Sequence, residues 1–370
     1  MTNSKISKTL LYVGTYTKKE GHVDGQAEGI YIFDYDTKTG SLTAVDTIPN
    51  TVNPSYLTVP PNGKYLYAVN EIAGNGNPSV GTVSAFELDE KGHFKRALNV
   101  VSAMGDAPCH ISVDASEHYV LVANYMGSVA AFPIQKNGSL GAASSSVKHK
   151  LDNPGSGRQD APHAHMILSG IDSTSVFAVD LGMDKVIHYE LSAGQLTEQA
   201  KTALKEGAGG RHLVFHPSQK WVYVLNELNK TVGFFQYSNA ATPFERLQTI
   251  STLEKPITEG DVGPSAIRIH PSGKFLYTAN RGIQGNNNNS IATYSINAQS
   301  GQLAFLGLQA AKGAVPRDFA VSPDGQFLLV ANQNSNTIVT FRIDEKTGEL
   351  IETGIITEVK TPVCLQFFEK

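Results

Sequence analysis

Apolar and polar residues alternate along most of this chain in short runs rich in β-branched and aromatic side chains, broken by Gly, Pro, Asn and Asp. That is the period of half-buried strands, and no stretch sustains the 3.6-residue pattern of an amphipathic helix. One unit recurs: Pro, a short alternating strand, a turn, then a second strand that usually ends in Asn, as in PSYLTVPPNGKYLYAVNE and PRDFAVSPDGQFLLVANQ. Its copies start at Pro54, Pro108, Pro162, Gly210, Pro264, Pro316 and Pro362, at intervals of 46 to 54 residues. A second unit follows each hairpin, for example GTVSAFELD, KTVGFFQYS and NTIVTFRID. It leads into a Gly-x-Leu or Gly-x-Phe turn such as Gly40-Ser-Leu42, except in the fifth copy, which has Pro243-Phe244.

Four strands per repeat of this length predict an all-β protein, a seven-bladed β-propeller. Residues 8–45 supply three strands and residues 362–368 a fourth. The ring is therefore expected to close by the C-terminal strand joining the N-terminal strands, with 1–370 as one propeller domain and two sheet edges hidden.

Antiparallel pairing within a blade puts the start of its first strand beside the end of its second, at the mouth that also receives the long connections Ile72–Gly81, Gly141–Ala161 and Gly282–Asn289. Long loops on a rigid scaffold are where function concentrates. The residue after each repeat's Pro, and the one sixteen further on, give Ser55/Glu71, Cys109/Tyr125, Arg211/Glu227, Ser265/Arg281 and Arg317/Gln333. The third repeat offers His163, paired with Val179 or Asp180 across a turn read as longer. Converging guanidiniums match a phosphate or carboxylate, and a histidine beside them supplies acid–base chemistry near neutral pH. The competing structural reading is that such Arg–Glu pairs clamp neighbouring blades. The recurrent Asn residues, and His216 and His270 before Pro in the opposite turns, read as architecture. Cys109 reads as a small buried hydrophobe rather than a nucleophile. His163 and His165, two apart on a strand, should point to opposite faces, so no metal or other cofactor is expected.

Composition narrows the partners. Net charge is −4 with no basic block, which argues against nucleic acid, and no apolar run is long enough to cross a membrane. Lys5 and Lys8 are followed by no apolar leader segment. Two cysteines, Cys109 and Cys364, make no disulfide framework, so the expected place is the cytoplasm. A closed ring needs no partner, so a monomer is expected.

The segments GAGGRHLVFHPSQKWVYVLNELNKTV (207–232), RQDAPHAH (158–165), ANRG (279–282), VPRDFAVSPDG (315–325) and LYVGTYT (11–17) closely resemble the lactonase-type seven-bladed propellers, over essentially the whole chain. That family includes 6-phosphogluconolactonases and the related carboxy-cis,cis-muconate cyclases. The resemblance implies His163, Arg211 and Glu227 as catalytic residues. Arg281, Arg317, His165, Arg158 and Gln333 are implied as substrate-binding neighbours, and the repeat position adds Glu71 to them. The substrate implied is a small anionic lactone or sugar acid. Hydrolysis of 6-phosphogluconolactone in the pentose phosphate pathway is the leading expectation. A muconate-type cyclisation, a different sugar lactone and a non-catalytic ligand-binding propeller are the alternatives.

Overall fold

A computed structural model of the chain describes residues 9–74, 80–172, 174–238, 243–255, 261–283 and 287–369. Parts of two expected mouth loops, 75–79 and 284–286, lie outside the described residues, as does residue 8 at the edge of the closing blade. The chain forms seven four-stranded antiparallel sheets. In chain order of their innermost strands, blades 1 to 7 begin with Tyr56–Thr58, Pro108–Val113, Ala164–Ser169, Gly210–Phe215, Asp261–Ile269, Pro316–Val321 and Pro362–Glu369. Blade 7 takes its inner strand from the C-terminus and the others, Thr9–Thr15, Gly29–Tyr35 and Leu42–Pro49, from the N-terminal segment. Thr9 faces Glu369 and Gly14 faces Cys364 across that seam.

The second strand of each blade is buried almost throughout, as in Trp221–Asn226 and Phe327–Asn332, because both faces of every sheet are covered. Seven apolar clusters result, each shared by two adjacent blades. The Gly-x-Leu turns join these interfaces. Tyr12, Tyr67, Tyr223 and Tyr277 donate their hydroxyls to the carbonyls of Gly92, Gly138, Gly301 and Gly348 in the next blade, at 2.7 to 3.0 Å. These glycines have φ between +74° and +83°, and a Cβ on Gly301 would stand 2.5 Å from the Trp221 ring. Where blade 4 carries Pro243-Phe244 instead, the residue at the tyrosine position in blade 3 is Phe177, whose ring packs 4.8 Å from that of Phe244.

Two features differ from the sequence expectation. Residues 141–161 are not one loop: they hold the outer strand of blade 2, Ser145–Lys148, and a 3-10 turn, Gly157–Gln159. A small hairpin, Lys19–Glu20 with Val23–Asp24, is inserted between the first two N-terminal strands.

Candidate active site at one mouth of the channel

A β-bulge at the start of an inner strand aims a side chain into the channel in blade after blade. Register slips at Cys109, His165, Arg211, Ser265 and Arg317, immediately after Pro108↔Asn124, Ala164↔Asp180, Gly210↔Asn226, Pro264↔Asn280 and Pro316↔Asn332. A bulge leaves one residue out of the ladder and re-aims it. Of the bulged residues, Cys109, Arg211 and Arg317 line one narrow cavity together with Ser55, Val363, Glu71 and His212.

This corrects the reading of blade 3. The residue equivalent to the repeat's Pro is Ala164, not Pro162, so the ring position belongs to His165. The turn is no longer than its siblings; the strand starts later. His163 sits two residues earlier, on the approach to the strand, with its carbonyl accepting from the Leu181 amide at 2.9 Å. The bulge also cancels the expected opposition of His163 and His165, since both rings meet Tyr125, one stacked at 4.4 Å and the other edge-on at 5.6 Å.

Glu227 is the hub of the mouth. Its Oε1 accepts from Arg158 Nη1 and forms an ion pair with Arg281 Nη2 at 2.9 Å. Its Oε2 lies 3.2 Å from Arg211 Nε without hydrogen-bond alignment, so both of those buried atoms lack a hydrogen-bond partner. The three guanidiniums come from the loop before blade 3, from blade 4 and from blade 5, so only the assembled ring unites them. Burial alone would push the Glu227 carboxyl up, but Arg281, Arg158 and Arg211 outweigh it and hold it well below the usual carboxylate range. Burial, then the neighbouring Arg281 and Arg317, pull Arg211 down to about 9, which leaves it a cation at neutral pH. Arg281 is further fixed by donating Nε–H to the Gly263 carbonyl at 3.0 Å. Arg158 donates Nε–H to the Tyr125 hydroxyl at 3.0 Å.

His163 is buried, and its Nδ1–H donates to the Tyr125 carbonyl at 2.9 Å, so in the neutral ring the lone pair sits on Nε2. Asp160 Oδ1 lies 3.7 Å from that nitrogen. Burial, reinforced by Arg211, holds His165 well below the ordinary imidazole range. Burial, and secondarily Glu71, raises the Cys109 thiol far above its ordinary value, so it is no thiolate nucleophile.

A second group faces the same cavity. Arg317 Nη2 donates to Tyr16 Oη at 3.4 Å, and His22 Nε2 lies 3.1 Å from that hydroxyl and 3.9 Å from Glu71 Oε1. Gln333 donates Nε2–H to Asn334, while its buried Oε1 has no hydrogen-bond partner. Gln333 and His22 border an adjoining polar groove with Lys19 and Asn334. His22 and Tyr16 escaped the sequence reading, and Tyr125 was not singled out as a site residue. Tyr125 was legible as the partner of Cys109 by spacing, whereas His22 rides on the inserted hairpin, outside the repeat. Among the described residues no group of three or more His, Cys, Asp and Glu is arranged to hold a metal, and no helix is long and apolar enough to cross a membrane.

Fold and site together define a seven-bladed propeller with a polar, arginine-rich pocket at one mouth of its channel. The family model described as "Lactonase, 7-bladed beta-propeller" matches residues 10–367. The chain belongs to that family. It is 36% identical to the 6-phosphogluconolactonase of Bacillus subtilis over 99% of this chain and 100% of the relative. Identity to the 6-phosphogluconolactonase of Formosa agariphila is 34%, over 97% and 99% of the two chains. The solved structure of a periplasmic gluconolactonase from Pseudomonas aeruginosa superposes with a TM-score of 0.88 at 32% identity, covering 98% of this chain and 99% of that one.

Proposed function

We propose that this protein hydrolyses 6-phosphogluconolactone to 6-phosphogluconate, in the cytoplasm and as a monomer, as a step of the pentose phosphate pathway. The observation that carries the reading is the pairing, at one mouth, of a histidine with a free ring nitrogen and a cluster of guanidiniums in excess over carboxylates. The names of the two 6-phosphogluconolactonase relatives support the phosphorylated substrate. The free, buried Cys109 and Cys364 are in keeping with a reducing compartment.

His163 Nε2 takes a proton from water as the water oxygen attacks the lactone carbonyl carbon. Charge builds on the carbonyl oxygen, and the Arg211 guanidinium, which lines the cavity, stabilises it. The ring C–O bond then breaks, the imidazolium returns its proton to the departing ring oxygen, and the new carboxylic acid ionises. Glu227 is a poor base because three cations hold it ionised; its work is to gather the arginines. Arg317 and Arg281 bind the phosphate, with Glu71, His165, Arg158 and Gln333 completing the walls.

The periplasmic gluconolactonase relative favours a second reading, hydrolysis of the unphosphorylated lactone. The test is a lactonase assay on both freshly made lactones, corrected for spontaneous opening, beside Arg211→Ala. Loss of one oxyanion donor should lower kcat by about 10²–10³. Equal rates for the two lactones would favour the second reading; no acceleration of either, or an unaffected Arg211→Ala, would end both.

A further inference from the structure

Blade 3 departs from blades 1, 2, 5 and 6 at one buried point, and the departure leads to His163. In those four blades the Asn that ends the second strand clips the preceding segment through its amide, whereas Asn226 of blade 4 donates to Thr231. Asn70, Asn124, Asn280 and Asn332 donate Nδ2–H to the carbonyls of Val52, Ala103, Thr252 and Ala311 at 2.8 to 3.1 Å. The Oδ1 atoms of Asn124, Asn226, Asn280 and Asn332 are buried with no hydrogen-bond partner. In blade 3 the position is Asp180, paired with Ala164 as those Asn residues pair with Pro or Gly.

The residue that takes the place of Ala103 and Ala311 here is His149. Its amide donates to Gly127, as theirs donate to Gly81 and Asn289. A side-chain link replaces the amide-to-carbonyl clip. His149 Nδ1–H donates to Asp180 Oδ2 at 2.6 Å, and His149 Nε2 is hydrogen-bonded with the Tyr189 hydroxyl at 2.9 Å. His149, Asp180 and Tyr189 are all buried. The Asp180 oxygen that corresponds to the idle Asn Oδ1 is employed: it accepts the amides of His163 at 2.8 Å and Met183 at 3.0 Å. A carboxylate accepts all three donors at once, whereas an amide would turn its NH₂ toward one of them. The chain crosses tightly here, since a Cβ on Gly182 would lie 1.8 Å from the Ala161 carbonyl oxygen.

We infer that Asp180, clamped by His149 and Tyr189, is a positioning residue that fixes the backbone of His163 and through it the ring that faces the mouth. Its kinetic consequence rests on the lactonase reading; its structural consequence does not. Asp180→Ala is expected to lower kcat about 10- to 100-fold with KM nearly unchanged, the size expected when a reacting group is misplaced by a fraction of a bond length or more. In a His163→Ala background the same change should cause no further loss, because the two residues act as one. The double variant His149→Ala, Asp180→Asn rebuilds the clip of blades 1, 2, 5 and 6 while keeping an acceptor for the His163 amide, and should recover most of the rate.

A readout independent of turnover is the ¹⁵N spectrum of the His163 ring. One Nδ1–H tautomer is expected in the parent and a mixture in Asp180→Ala. Additive losses with His163→Ala, or an unchanged tautomer, would overturn the inference. If Asp180→Ala does not fold, Tyr189→Phe loosens the clamp without touching the mouth and should give a smaller fall in kcat; an unchanged kcat overturns it equally. A parent without lactonase activity would sink the reaction assignment while the tautomer still decides the role of Asp180.

Discussion

One carboxylate among three guanidiniums is an asymmetric arrangement, and Glu227 illustrates what a buried charge does when its neighbours outnumber it. Its own ionisation is assured by Arg281, Arg158 and Arg211, so it cannot serve as a proton acceptor near neutral pH. Removing it is another matter. Glu227→Gln would leave three cations facing one another in a largely buried space, and breaking a buried pair in this way typically costs about 3–5 kcal/mol. Urea denaturation should show a loss of that order, with kcat down by at least tenfold because Arg211 loses its anchor. A variant with parental stability and rate would mean that the hub is decoration. Spacing alone paired Arg211 with Glu227, and the structure joins them at 3.2 Å. Spacing could not show that Arg158, which lies outside any strand, reaches the same carboxylate.

At the level of the element, the repeat explains itself only once the blades are seen side by side. The Gly-x-Leu turn was visible in the sequence, but its purpose was not, because the tyrosine that uses it belongs to the preceding blade. Tyr223→Phe should cost about 1–3 kcal/mol by leaving the Gly301 carbonyl without its donor. Gly301→Ala should cost more, since it adds a strained positive φ of 74° and a collision with Trp221. Both are measurable by denaturation, and both should leave the rate per folded molecule unchanged. The misaligned third repeat has an equally physical cause. Pro162 imitates the Pro that opens the other inner strands, whereas the true register is set at the far end of the hairpin, where Asp180 occupies the Asn position. Counting back sixteen residues from Asp180 would have found Ala164 and, next to it, His165. The bulges themselves leave no mark in the alternation that a single sequence displays.

For the whole molecule, the sequence conveyed the ring and its closure because seven copies of one pattern leave few alternatives. It did not convey how much ionisable chemistry the ring encloses. Below the bulged residues the channel holds His110 and His212, with rings 5.7 Å apart, and His165 lies 5.5 Å from His212. Burial, then Arg268 and Arg211, lowers His110 to about 3; burial and Arg211 depress His165 and His212 in the same direction. Each of these groups binds a proton more readily in the unfolded chain, whose histidines titrate near ~6.5. The stability they permit is therefore complete above that pH and drains away as the pH falls through the window between about 6.5 and His110's depressed value. Denaturation at a series of pH values should show a slope of up to about 1.4 kcal/mol per pH unit for each neutral buried histidine, and His110→Gln should flatten it.

The arginines at the mouth have one more consequence. Among the described residues there, Arg158, Arg211, Arg281 and Arg317 outnumber Glu71, Glu227 and Asp160, on a protein whose overall charge is −4. The opening is thus a patch of reversed sign on an acidic body. A phosphorylated lactone drifting past would be drawn inward by a field that dissolved salt weakens, whereas its uncharged counterpart would arrive by diffusion alone.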